Sequence, residues 1–288
     1  MEGGPRRRPR RGRDLFYCEV VILTIVHTLA SGSSGNALVI LSGGTRILLD
    51  AGVSCRRITA SLAALGLGPG DLDAILVTHT HTDHISGLRT LLKRTDAPVW
   101  ATARTGRDLL YRLPELEDRL CPAELGVSFE IGGCAVIPVA ASHDAPGACG
   151  YRLDTADGSV GILTDTGYVT DQAAELLPGV DLAVLEANHD VETLCSGPYP
   201  NYLKQRILGP EGHLSNTDAA AFAAVLAERG AAEIVLAHLS RENNTPAMAL
   251  TAVETALAGA GLAPALSVAP RDTLGPAHVL VRRAVCRR

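Results

Sequence analysis

The chain reads as an α/β protein of layered sheets with helices on the outside, and three observations carry that reading. Short β-branched runs alternate with alanine- and leucine-rich runs of helical length over most of the 288 residues. The first half is strand-rich and joined by tight turns such as Ser33-Ser34-Gly35-Asn36, whereas the helical runs lengthen toward the C-terminus. No low-complexity linker follows residue 20 and no repeat exceeds a few residues, so a single domain is expected over 21–288.

In chain order, strands are expected at 20–29 (VVILTIVHTL), 37–41 (ALVIL), 46–49 (RILL), 74–78 (AILVT), 99–102 (VWAT) and 128–131 (SFEI). Further strands are expected at 134–140 (CAVIPVA), 150–153 (GYRL), 160–164 (VGILT), 182–186 (LAVLE) and 234–237 (IVLA), with a weak one at 279–281. Helices are expected at 56–65, 85–94, 106–111, 171–176, 200–207, 216–229 and 246–258. In the run 85–94, Leu88, Leu91 and Leu92 fall at core-facing spacing.

Composition narrows the function. The formal net charge is −5, so a nucleic-acid partner needs a local patch or metal ions to hold it. Aromatic residues are only 3%, which disfavours base stacking as the main binding device. Basicity rests on arginine, since Lys93 and Lys204 are the only lysines. Seven cysteines, an odd number without a C-x-x-C pair, point to free thiols in a reducing cytoplasm rather than disulfides or a thiolate zinc site. Residues 15–30 contain Glu19 and His27 and are too short to span a bilayer, so they read as a core strand and no membrane partner is expected. Residues 1–20 read as a basic extension, with six arginines against Glu2 and Asp14 in the first fourteen positions.

The chemistry is concentrated in Thr78-His79-Thr80-His81-Thr82-Asp83-His84, directly after an apolar strand. In extended backbone His79 and His81 send both imidazoles to one side, and Asp83 and His84 at a helix start face a second point nearby. Nitrogen and carboxylate donors without sulfur suit Zn²⁺ or Mn²⁺, with Fe²⁺ also compatible. The same design recurs three times: His143, Asp165 and His238 each stand just beyond the end of an apolar strand, where layered α/β sheets place their sites.

These residues resemble the metallo-β-lactamase superfamily, whose pattern is H-x-H-x-D-H followed by a His, a bridging Asp and a final His. More narrowly, SGSSGN (31–36), LLDAG (48–52), GILTDTGYV (161–169), LEANHD (185–190), GPYPNYLKQRILGPEGHLSN (197–216) and AHLSRENNT (237–245) resemble the bacterial YycJ/WalJ-type exonucleases. The resemblance implies a four-layer αββα sandwich without an accessory insertion and a 5′-to-3′ exonuclease on double-stranded DNA. It further implies a role in mismatch repair, with DNA repair or replication proteins as candidate partners. Two divalent ions are implied, one held by His79, His81 and His143, the other by Asp83, His84 and His238, with Asp165 bridging. They would polarise the scissile phosphate and make a bridging water acidic enough to supply hydroxide near neutral pH.

His213 in GHLSN and Glu186 in LEAN resemble the acid pair of tRNA 3′-processing nucleases, a carboxylate that holds and charges a histidine general acid. Weaker expectations concern the substrate. Ser33, Ser34 and Asn36 are candidate anion contacts in a polar turn, Arg241, Asn243 and Asn244 are expected to line the cleft, and Lys204 and Arg206 to meet DNA backbone. Asp50 is expected to orient a ligand histidine, and Arg89, Lys93 and Arg94 to form a solvated helix face. The alternatives are an RNA-processing nuclease and a glyoxalase-type thioester hydrolase. The exoribonuclease type normally inserts a large domain between the bridging Asp and the final His, and the 238 − 165 = 73 residues between them here leave no room for it.

Overall fold

The computed structural model describes residues 23–280. The first half of the chain supplies β1 (Thr24–Ala30), β2 (Ala37–Ser42), β3 (Thr45–Leu49), α1 (Cys55–Ala64), β4 (Ala74–Leu76), α2 (Thr82–Ile85), α3 (Leu88–Leu91), β5 (Val99–Thr102), α4 (Ala103–Arg112) and β6 (Leu120–Ala123). The second half supplies β7 (Phe129–Ile131), β8 (Cys134–Ala140), β9 (Cys149–Asp154), β10 (Ser159–Leu163), α5 (Asp171–Leu176), β11 (Leu182–Glu186), α6 (Val191–Ser196) and α7 (Asn201–Leu208). It closes with α8 (Asn216–Glu228), β12 (Glu233–Ala237), α9 (Pro246–Gly259), β13 (Ala265–Val268) and β14 (His278–Leu280).

Two seven-stranded sheets result, in the orders β14-β1-β2-β3-β4-β5-β6 and β13-β12-β11-β10-β9-β8-β7. Each half begins with antiparallel strands and passes to parallel ones, at β3–β4 in the first sheet and β10–β11 in the second. The inner parallel strands β4 and β11 are buried along their whole length because both of their faces are covered. Ile75 packs outward against Ile58, Leu62 and Leu88 of α1 and α3, while its neighbours Ala74 and Leu76 point into the core between the sheets. Val184 and Val235 face that same central core, and Ala183, Leu185, Ile234 and Leu236 pack against α8 and α9 on the far side. Three apolar cores therefore separate four layers, the αββα sandwich that the resemblance implies. No helix among the described residues is long and apolar enough to cross a membrane.

Several boundaries differ from expectation. The first strand starts at Thr24, with residues 20–22 outside the described region, as is the basic extension 1–20; Val281 of the weak last strand lies outside it too. The helix expected over 85–94 is split into α2 and α3 at Gly87. A Cβ at Gly87 would lie 2.1 Å from Val53 O, and Gly87 N donates to Ala51 O, so a tertiary contact with the loop after β3 overrides the helical pattern. Strands β6 and β13 and helix α6 carry no sequence signal strong enough to find them. The two strands are sheet edges, and β6 contains Pro122, which an edge tolerates.

Candidate metal centre

The segment after β4 is pinned before it presents any side chain. Tyr151, fully buried in β9 of the opposite sheet, donates to Val77 O at 2.9 Å, and Cys149 N donates to Thr78 O. Asp50, just past β3, accepts from Thr78 N at 2.9 Å and from Thr78 Oγ1 at 2.8 Å, and its Oδ2 lies 2.7 Å from His84 Nδ1. His84 therefore donates through Nδ1 and turns Nε2 inward. Because the Thr78 hydroxyl already donates to Asp50, it accepts from His79 Nδ1 at 3.0 Å, so His79 also presents a free Nε2. His143 donates through Nδ1 to Gly212 O at 3.0 Å, which leaves its Nε2 facing His81 Nδ1 at 3.2 Å.

Asp50, Asp165 and His238 are the three non-glycine residues with positive φ among those described, at 58°, 56° and 55°. Asp50 and His238 directly follow β3 and β12, and Asp165 stands one residue further on, past Thr164 at the end of β10. Such a conformation persists for a residue with a Cβ only where surrounding bonds over-determine it. At His238 they do: its N–H donates to Ser31 Oγ at 2.8 Å and its carbonyl accepts from Asn188 Nδ2 at 2.9 Å. The turn sends His238 Nδ1 to 3.3 Å from Asp165 Oδ2, which is also 3.3 Å from His84 Nε2.

The structure thus gathers the seven residues expected to hold metal into one place. Donor atoms of His79, His81 and His143 lie within 4.8 Å of one another, as do those of Asp83, His84 and His238, and Asp165 joins a third such group with His79 and His84. A divalent cation fits these donors on a specific ground. His79 Nε2, His238 Nδ1 and Asp165 Oδ2 are buried with no hydrogen-bond partner among the described residues, a costly state that a bound cation relieves. Burial and the neighbouring His84 hold the His79 pKa well below its usual value. Burial would raise the Asp165 carboxyl, yet His238 and His84 outweigh it and hold the group well below the carboxylate range.

Glu186 and His213 also meet at this edge. With Asp165 and His238 they form a fourth group close enough to share an ion, but Glu186 is already engaged. Its Oε1 is 2.8 Å from His213 Nδ1, and its Oε2 accepts from Thr166 N and Leu214 N at 2.9 and 3.2 Å. Burial disfavours charge on His213, but the Glu186 carboxylate outweighs it and, with Asp165 and Asp83, lifts its pKa to about 9. The His213 side chain keeps 22% exposure, so solvent can reach it. His189 is buried with neither ring nitrogen partnered among the described residues, and burial pushes its pKa down to about 4. It belongs to none of the four ligand groups.

The expected substrate contacts divide. Ser33 and Ser34 are exposed in the turn, and Asn36 Nδ2 lies 3.0 Å from His84 Nε2, beside the ligand cluster. Arg241 is exposed, 3.7 Å from Asp272. Asn243 and Asn244, expected to line the cleft, are instead buried: Asn244 pairs with Asn216 and donates to Ala187 O, and Asn243 bonds to Ser240. Lys204 donates to Cys195 O at 2.6 Å in the last turn of α6, where a cation suits the helix C-terminus, so it too is engaged within the protein. Arg206 is bound by Asp144, whose other oxygen is 3.5 Å from His81 Nε2. Arg89 pairs with Glu115 on an exposed face, as expected. Thr78 and Asp144, which the sequence pattern does not single out as functional, stand directly beside His79 and His143.

The sequence matches the Beta-lactamase superfamily domain over residues 45–239. It is 39% identical over 251 residues to a protein named Exodeoxyribonuclease WalJ from Streptococcus pneumoniae, covering 85% of this chain and 92% of that one. Exodeoxyribonuclease YycJ from Bacillus anthracis is 35% identical over 254 residues, 87% of this chain and 96% of the relative. Among solved structures, the metallo-beta-lactamase fold protein YhfI from Bacillus subtilis superposes with a TM-score of 0.68 at 15% identity, over 89% of this chain and 99% of that one. At that identity the likeness concerns the fold.

Proposed function

Because the chain belongs to the beta-lactamase superfamily, in its WalJ/YycJ branch, we propose that it is a metal-dependent exodeoxyribonuclease that removes nucleotides from the 5′ ends of duplex DNA. The observation that carries this reading is the meeting of two inward-facing donor triads at Asp165, with the Glu186–His213 pair at their rim. His79, His81 and His143 would hold one ion and Asp83, His84 and His238 the other, with Asp165 serving both; Zn²⁺ and Mn²⁺ suit this donor set. When bound, the ions supply charge neutralisation at the phosphodiester and a water acidic enough to attack it.

The protein's own part is positioning and proton control. Asp50 and Gly212 O fix His84 and His143 by holding the nitrogen of each ring that faces away from the centre. Glu186 holds His213 Nδ1–H, so Nε2 carries the proton that the leaving oxygen takes as the P–O bond breaks. The cysteines Cys55, Cys121, Cys134, Cys149 and Cys195 form no disulfide among the described residues, which supports placement in a reducing cytoplasm, and a DNA-repair role accords with the proposed activity.

The test is turnover by the purified full chain with added Mn²⁺, with Asp83→Ala as the blank, on 5′-labelled duplex DNA, single-stranded DNA, structured RNA and a thioester. Release of nucleotides from duplex 5′ ends by the wild type alone is expected. Turnover of RNA or thioester with inert DNA would overturn the substrate while leaving the hydrolase.

A further inference from the structure

Arg271 lies in the segment between β13 and β14, and its guanidinium has a buried Nη1 without an acceptor among the described residues. A guanidinium offers five donors in a rigid fork suited to carboxylate or phosphate, and leaving one buried and unmet is costly. Nor is the segment slack. Ala269 N donates to Leu236 O, Gly275 N donates to Thr28 O, and Ser31 N and Arg57 Nη2 both donate to Arg271 O. The side chain is thereby delivered over Gly32, where an added Cβ would lie 3.8 Å from Arg271 Nη1 and 3.2 Å from Leu239 O. Gly32 has φ +136° and opens the turn closed by Gly35 N bonding to Gly32 O, with Ser33 and Ser34 exposed at its tip.

Two more arginines converge here on a single acid. Arg57 Nη1 is 3.4 Å from Asp272 Oδ1, and Arg241 Nη2 is 3.7 Å from Asp272 Oδ2. Asp272 thus pairs with two guanidiniums, and Arg271 is its neighbour in sequence, in a chain of net charge −5. The patch is continuous with the ligand cluster, since Ser31 Oγ accepts from His238 N and Asn36 Nδ2 approaches His84 Nε2.

We infer that Arg271 and Arg241, with the Ser33-Ser34 turn, form a subsite for a backbone phosphate of DNA beside the scissile position, with Arg57 positioning Arg271 and Asp272 holding Arg241 until DNA arrives. The inference rests on the reading of the chain as a DNA phosphodiesterase. Guanidinium–phosphate contacts carry no base information and set register along the strand, as an exonuclease of broad sequence range requires.

The test compares 5′-labelled duplex DNA with bis(p-nitrophenyl) phosphate, a diester with no neighbouring phosphate. In Arg271→Ala the ratio of duplex to small-diester kcat/KM should fall about tenfold, chiefly through KM. The slope of log(kcat/KM) against log[salt] should shrink by about 0.9, as expected when one phosphate is no longer neutralised, and Arg271→Lys should recover that slope. Asp272→Asn, which frees Arg241, should lower the duplex KM. A wild-type KM and salt slope in Arg271→Ala would overturn the subsite, as would an equal loss on both substrates, the mark of a merely structural role. A wild type inert on duplex DNA would overturn the exonuclease reading instead; anisotropy binding of duplex to wild type and Arg271→Ala, with tighter binding by the wild type expected, then decides the subsite separately.

Discussion

The Glu186 carboxylate receives His213 Nδ1 at 2.8 Å on one oxygen and two backbone N–H groups, from Thr166 and Leu214, on the other. With both oxygens occupied, it is better placed to hold His213 than to hold a cation, although its distances alone would allow either.

His213→Ala should therefore lower kcat by 10² to 10⁴, roughly the range of a general acid, while metal content stays at the wild-type value. Loss of metal in this variant would place His213 among the ligands. Glu186→Gln tests the pair through pH. Glu186 raises the His213 pKa, so the protonated form survives to higher pH and is lost as pH rises through that value. Removing the negative charge should move the alkaline limb of the kcat profile to lower pH; an unmoved limb would detach Glu186 from the proton.

Asp165 faces both donor triads, with Oδ2 at 3.3 Å from His84 Nε2 and from His238 Nδ1 and Oδ1 at 3.9 Å from His143 Nε2. Asp165→Ala should abolish turnover and reduce metal per chain, measured by elemental analysis. Full activity with unchanged metal would remove its shared role.

Asp50 belongs to none of the four ligand groups, yet it orients His84 directly and His79 through Thr78. Asp50→Asn keeps a residue tolerant of its φ of 58° but loses the anionic acceptor. Metal affinity by chelator competition should weaken about 10- to 100-fold. Wild-type affinity would show that the ligand rings are oriented by something else.

Gly52 tests the packing beneath the centre. A Cβ there would sit 1.6 Å from Asp83 O and 2.7 Å from Asn36 N, both backbone atoms with little freedom to yield. Gly52→Ala should cost about 3 kcal/mol or more, read from denaturant unfolding. A loss under about 1 kcal/mol would mean that the 52 and 83 segments separate easily.

Much of this molecule is written locally. His79, His81, Asp83 and His84 fall within six residues at one strand-to-helix junction, so their shared destination follows from strand and helix geometry alone. His143, Asp165 and His238 were legible because each stands at the end of an apolar run, and apolar runs of that length become buried strands. What the sequence left open depends on partners far away along the chain. The split of the helix at Gly87 is decided by Val53 and Ala51, and the burial of Asn244 by Asn216 and Ala187. Arg271 had no local signal: it belongs to no motif, and only the antiparallel return to β1 through β14 brings its segment against the turn at Gly32. Chain-local periodicity thus determined which side chains sit at strand ends, whereas tertiary packing decided which donors face one another, because hydrogen-bond partners and burial are set by residues that no window along the sequence contains.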